Sequence, residues 1–238
     1  MTLTIVTLAP SLLNTNGDSE NARVLARRAE WAGLEASVIP VESAADLPAR
    51  VDAVIVGSGN DSSLERAREV LLGVQSNLRA WATEGVPILA VGTGWELLSW
   101  GIEFVDAAPV EGLGILPGRA VPHDGRITGD LVVSHSTFGV LVGFENHARE
   151  YCGAEGSPLG RVRTGHGNGR GSGQEGVVMG AVYGTHLHGP VLAKNPTFAD
   201  HLLGLMCERS AVPYRPGERT RQADGYAADA RAVLLGPR

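Results

Sequence analysis

Residues 86–91, Val-Pro-Ile-Leu-Ala-Val, run straight into Gly92-Thr93-Gly94, and Trp95-Glu96-Leu97-Leu98 follows. A short, unbroken apolar run suits a strand buried on both faces. The two glycines break that strand, and Trp95, Leu97, Leu98 and Trp100 are spaced to suit a short helix. Strand, tight turn and helix make the geometry of a nucleophile elbow, which lifts one side chain above a sheet edge. The backbone N–H groups just beyond it lie at a helix start and can hold an oxyanion. A second pattern is His186-Leu187-His188, after an expected strand. In extended chain the two imidazoles share one side. They would need a third ligand, His147 or Glu145, to hold a metal, and a lone His-x-His is weak support, so no metal site is expected. Cys152 and Cys207 lie outside the elbow and read as structural. The glycine-rich run 165–173 lacks the Gly-Lys-Ser/Thr ending of a phosphate loop and reads as a flexible hairpin tip.

Here the motifs resemble a known family, the CobB/CobQ-like branch of the class I glutamine amidotransferases. Its elbow reads Cys-Gly-Gly-Tyr-Gln-Leu-Leu, against Gly92-Thr93-Gly94-Trp95-Glu96-Leu97-Leu98 in this chain. Its catalytic-histidine motif is Gly-Thr-Tyr-Leu-His-Gly-Pro, against Gly184-Thr185-His186-Leu187-His188-Gly189-Pro190. Within that branch the chain resembles the GatD subunits of lipid II isoglutaminyl synthase. Asn16-Gly17-Asp18 resembles their Tyr-Gly-Asp, and Gly57-Ser58-Gly59-Asn60-Asp61 resembles Gly-Gly-Gly-Gln-Asp. Arg126-Ile127-Thr128-Gly129-Asp130, Gly143-Phe144-Glu145-Asn146-His147, residues 165–168, Glu175-Gly176 and Lys194-Asn195-Pro196 with Ala199-Asp200 also fit. The similarity is ordered along the chain from residue 16 to 200.

The resemblance implies roles. His188 matches the base that deprotonates the cysteine, Arg126 an arginine that binds glutamine, and Gly57 and Gly59 a turn that gives backbone N–H groups to the glutamine site. Thr93, Gly94 and Glu96 complete the substrate-facing turn. The cysteine position itself holds Gly92, and glycine has nothing to attack with. Losing the nucleophile of a comparable triad costs on the order of 10⁶ in rate. Thr93 is one residue late and is expected to face away from the tip, and its hydroxyl needs a stronger base than a thiol does. The family is thought to take its triad acid from the synthetase partner. On that pattern Gly92→Cys restores little glutaminase, and adding Glu96→Gln restores more.

The chain has 238 residues, enough to bury roughly 70–75% of its unfolded surface. Its net charge of −6 argues against non-specific binding to nucleic acid or anionic membranes. No run approaches 18 apolar residues, so no membrane insertion is expected. The start, Met-Thr-Leu-Thr-Ile-Val, lacks a basic signal-peptide region and reads as a first strand, so cytoplasm is the default. Two cysteines are too few for a disulfide framework.

Apolar and amphipathic runs alternate. Strands are expected at 4–9, 34–39 and 52–56, helices at 22–31 and 63–83, and a polar loop at 14–21. That alternation predicts a mainly parallel, doubly wound α/β sheet, with ligands outside the carboxyl ends of its strands. The turns 57–61 and 92–94 both lie there. Beyond residue 102, short strands are expected at 113–121, 126–133, 138–144 and 177–183. A helix at 196–207, a polar linker at 213–221 and a last helix at 226–235 close the chain. The reading is one α/β three-layer sandwich of the flavodoxin-like, class I amidotransferase type over 1–210, with a linker and helix at 211–238 packed on it.

Three functions stay open. The first is a GatD-like subunit that partners a MurT-like Mur ligase in amidating the peptidoglycan stem peptide of lipid II, its own glutaminase lost. It would serve as a scaffold, or bind glutamine or a similar small ligand in a remnant pocket. The second is an active glutamine-hydrolysing subunit supplying ammonia. The third is a stand-alone enzyme of other chemistry built around His188 and Glu96. In each partnered case ATP and Mg²⁺ belong to the synthetase, and no cofactor is expected in this chain.

Overall fold

A strand covered on both faces needs apolar residues throughout. The chain supplies them at β3 (Ala53–Val56) and β4 (Ile88–Val91); β1 (Thr2–Leu8) mixes in three threonines and β12 (Val182–Thr185) a glycine and a threonine, and β3, β4 and β12 are buried along their whole length. The computed structural model, which describes residues 1–236, joins these strands to β2 (Glu35–Val41) and β11 (Val177–Met179). The order is β2-β1-β3-β4-β12-β11. All neighbours run parallel except β11, which is antiparallel to β12. Apolar side chains alternate between two cores, one on each face. The first takes α2 (Leu64–Gly73), α3 (Gln75–Thr83) and α4 (Thr93–Leu98). The second takes α1 (Asn21–Trp31), α5 (Val191–Lys194) and α6 (Pro196–Arg209). This is the three-layer α/β sandwich the sequence pattern predicts.

A second sheet stands against this body. Its centre is a long antiparallel hairpin, β7 (Arg119–His135) with β8 (Gly139–Cys152). The short strands β5 (Gly101–Ile102), β6 (Val110–Glu111), β9 (Gly160–Thr164) and β10 (Gln174–Glu175) complete it. The main-chain N–H of His188 donates to the Phe144 carbonyl at 2.9 Å, so β8 pins the segment that follows β12.

Several expected elements are corrected. The helix expected at 63–83 is two, α2 and α3, broken at Val74 (φ −118°, ψ 13°) just after Gly73. Glycine is a poor helix former, and the buried Val74 side chain gains by turning into the core. Of the strand expected at 113–121 only 119–121 is strand, and it joins the strands expected at 126–133 and 138–144 in one hairpin. Pro122 and Asp124-Gly125 look like strand breakers, but the chain absorbs them in a register shift between Pro122 and Ile127. The strand expected at 177–183 folds back as β11 and β12 around Gly180 (φ 61°). The glycine-rich run is tied down: the Glu145 carboxylate accepts the His166 and Gly167 N–H groups at 2.8 and 2.9 Å.

The last helix starts earlier than expected, as α7 (Glu218–Leu235). It is held by Asp224 to the buried Arg28 at 2.7 Å, and by Arg231 to the Asn195 side-chain oxygen at 2.7 Å. Residues 237 and 238 of the expected C-terminal segment lie outside the described residues.

Candidate functional site

The carboxyl ends of β3, β4 and β12 meet at one edge, and the two glycine turns lie there as the alternating pattern requires. Gly92 follows β4 with φ 53° and ψ −123°, a backbone state that costs a side-chain-bearing residue about 1–3 kcal/mol. Glycine, with no Cβ, takes that state without the cost. A Cβ built on Gly92 would stand 2.6 Å from Ser58 Oγ, 3.0 Å from Ser58 Cβ and 2.8 Å from His188 Cε1. The place a nucleophile would use is thus filled from the turn after β3. Ser58 Oγ also accepts the Thr93 N–H at 3.3 Å.

His188 is buried behind Gly92 with an acid of its own. Asp18 Oδ2 lies 2.9 Å from His188 Nδ1, and both side chains are buried. Gly17 (φ 74°) turns the chain so that Asp18 starts a short 3-10 segment facing β12. The Asn16 amide nitrogen lies 3.2 Å from the same ring atom. That amide and an Nδ1–H are both donors, so the carboxylate takes the ring proton and leaves Nε2 as the acceptor. The resemblance implies an orienting acid from a partner; within this chain Asp18 already stands at Nδ1.

A cavity of about 180 Å³ opens in front of these groups, walled by Ser58, Gly59, Gly92, Thr93, Glu96 and Arg126 among others. Arg126 is exposed and donates from Nε to Asn146 Oδ1 at 2.6 Å. Thr93 does line the cavity, against the expectation that it faces away. It is the first residue of α4, and its hydroxyl donates to the Gly59 carbonyl at 2.9 Å. Gly57 and Gly94 stand behind the wall. Side chains there would meet the Leu13 carbonyl at 2.1 Å and the Gly57 carbonyl at 2.3 Å, so close packing requires both glycines.

Glu96 does not present a bare charge. It is buried and paired with Arg149, whose Nη2 lies 2.9 Å from Oε2. The same guanidinium reaches Asp61 at 3.0 Å. Burial works against the Arg149 charge, but Glu96 and Asp61 outweigh it and hold its pKa above the ordinary arginine value. The carboxylate expected beside a bound glutamine is therefore offset by a partner in the cavity wall.

His186 and His188 engage different carboxylates. His186 Nδ1 lies 3.6 Å from Glu175 Oε2, beyond hydrogen-bond range, and neither atom has another partner among the described residues. The His186 ring stacks on His147 at 4.1 Å and packs against Trp95 at 4.5 Å. Burial holds its pKa below the ordinary histidine value.

Three site residues escape a reading of the sequence. Asp18 sits in a motif, but its contact with His188 spans 170 positions. Ser58 is visible only as a serine where the family pattern has glycine. Arg149 had a usable signal: in strand β8, Glu145, His147 and Arg149 alternate onto one face.

Known proteins place this arrangement. The model of the CobB/CobQ-like glutamine amidotransferase domain matches residues 4–196. The chain is 32% identical over 234 residues to the GatD subunit of the glutamine-hydrolysing lipid II isoglutaminyl synthase of Staphylococcus aureus (strain N315), covering 98% of this chain and 95% of that protein. It is 30% identical over 207 residues to the corresponding subunit of Streptococcus pneumoniae (strain ATCC BAA-255 / R6), covering 84% and 79%. A crystal structure of a glutamine amidotransferase superposes with a TM-score of 0.59 at 22% identity, covering 85% of this chain and 98% of that one, which speaks for the fold. The chain belongs to the CobB/CobQ-like glutamine amidotransferase family.

Proposed function

We propose that this protein is a GatD-like subunit that docks on a MurT-like Mur ligase and takes part in amidating the stem peptide of lipid II, without a thiol glutaminase of its own. The relatives named above support the assembly. The observation that carries the loss is Gly92 in the elbow conformation, with Ser58 in the space a side chain would need. Neither cysteine compensates: Cys152 is exposed at the end of β8 and Cys207 is buried in α6. On this reading ATP and Mg²⁺ act on the synthetase, the assembly works in the cytoplasm, and this chain contributes its docking surface. The remnant cavity takes glutamine or a similar amino acid, with Arg126 facing the carboxylate.

Co-expression with a Mur-ligase-like protein tests this, followed by size-exclusion chromatography and an ammonia assay with glutamine. The two chains are expected to elute together, with no ammonia above background from the isolated chain. Separate elution at micromolar concentration would overturn the partnership. Labelling at residues 92–96 by a cysteine-directed glutamine analogue, blocked by glutamine, would overturn the loss of the thiol site.

A further inference from the structure

We propose that Ser58 is a displaced nucleophile, forming with His188 and Asp18 a site for acyl transfer from small carboxylic esters that carry a free carboxylate. This goes beyond the partnership proposed above, which does not depend on it.

The position is the first argument. One point, where a Cβ on residue 92 would stand, lies 2.6 Å from Ser58 Oγ and 2.8 Å from His188 Cε1. The serine hydroxyl thus lies beside the vacated elbow tip, reaching it from the neighbouring turn. The state of that hydroxyl is the second. Ser58 is 6% exposed, yet its hydrogen bonds are long: 3.3 Å from the Thr93 N–H and 3.4 Å to the Thr93 hydroxyl. Alanine would fill the same space without a buried hydroxyl that lacks a short partner. The third argument is the base. Asp18 fixes the Nδ1–H tautomer of His188, and Nε2 has no protein partner among the described residues. No hydrogen bond joins Ser58 to His188, and in this kind of site that bond often tightens only when substrate is bound.

In the reaction Ser58 Oγ bonds to the acyl carbon as its proton passes to His188 Nε2. Asp18 stabilises the imidazolium. The Thr93 N–H turns from Ser58 Oγ to the acyl oxygen. The bond from the acyl carbon to the ester oxygen then breaks, the Nε2 proton goes to that oxygen, and an alcohol leaves. Water attacks the acyl-serine by the same route, releasing the acid and restoring Ser58. One N–H is a thin oxyanion site, and removing a single such donor elsewhere costs about 10²–10³ in rate. That limit favours esters, whose alkoxide leaves more readily than an amide nitrogen. Arg126, exposed on the cavity wall, selects a carboxylate on the acyl part.

The test uses the full-length chain and a fluorophosphonate probe, with the adduct mapped by mass spectrometry. One adduct on Ser58 is expected. It should be lost in Ser58→Ala and form at least about 100-fold more slowly in His188→Gln, the scale of a general base. His188→Gln should also remove the pH dependence of labelling, which a packing role for His188 would leave in place. Ser58→Cys should gain labelling at residue 58 by a cysteine-directed glutamine analogue, blocked by glutamine. No adduct on folded wild-type chain, or an adduct that maps elsewhere or persists in Ser58→Ala, would overturn the proposal. If Ser58→Ala fails to fold, the site of the wild-type adduct decides. A chain that co-elutes with the synthetase but is never labelled sinks this proposal and leaves the partnership standing; a labelled chain that elutes alone does the reverse.

Discussion

The turns after β3 and β4 have the same pattern, Gly57-Ser58-Gly59 and Gly92-Thr93-Gly94, and lie side by side at one sheet edge. Their glycines are held for different reasons. Side chains on Gly57, Gly59 and Gly94 would meet backbone carbonyls at 2.1, 2.6 and 2.3 Å. Backbone cannot give way there, so those three glycines follow from the fold. At Gly92 the nearest atoms belong to the side chains of Ser58 and His188. Glycine at 92 thus answers to its own backbone state and to the side chains at 58 and 188, not to neighbouring backbone. A side chain is missing from one turn and present on its neighbour, and the space between the turns holds only one.

The largest effect is expected from cutting the clamp that spans both turns. Arg149 holds Glu96, which follows the β4 turn, and Asp61, which follows the β3 turn. Arg149→Ala leaves Glu96 buried and unpaired, a loss of about 3–5 kcal/mol. Urea unfolding should show it, and adding Glu96→Gln should recover most of it. A loss below about 1 kcal/mol would mean that Glu96 reaches water and that the turns are independent.

Next comes Gly92→Cys. Overpacking and backbone strain together predict a loss of about 2–4 kcal/mol. Ser58→Gly in the same chain should return roughly half, because strain remains after the contact is relieved. For stability the second change that matters is at Ser58, which stands 2.6 Å from a Cβ on residue 92, whereas Glu96 already has Arg149. If the two substitutions prove additive in a double-mutant cycle, the turns do not compete and the comparison fails.

The smallest effect concerns what lies behind the β4 turn. Trp95 packs on His186, and burial, with His147 nearby, holds the His186 pKa below its ordinary 6.5; Glu175 opposes this without overcoming it. A depressed histidine pKa means that the unfolded chain binds the proton more readily. The stabilisation is complete above pH 6.5 and falls away as pH drops below it, by up to about 1.4 kcal/mol per pH unit. His186→Tyr, the residue of the family motif, should flatten thermal stability between pH 7.5 and 5.5. An unchanged slope would place the titration elsewhere.

The parallel sheet was legible because β3 and β4 are apolar at every position and the turns after them are rich in glycine. The elbow and His188 were legible as local motifs. The orienting acid was not, because Asp18 meets His188 only after the chain has folded across the whole sheet. Glu96 misled for a related reason: its charge is visible in sequence, but its partner Arg149 lies 53 positions away. The long hairpin was read as fragments because a proline and an Asp-Gly pair announce turns that a register shift accommodates.

The occupied space between the turns also bears on history. On the reading proposed above, a thiol elbow forms without overpacking only after two changes, at 92 and at 58. Cysteine at 92 enters a filled space, and glycine at 58 alone empties the elbow without supplying a nucleophile. Each single step offers selection nothing in that chemistry, and the first also carries a cost in stability. On that reading the pair works as a ratchet, because a return to the thiol site must pass through an overpacked or an empty elbow.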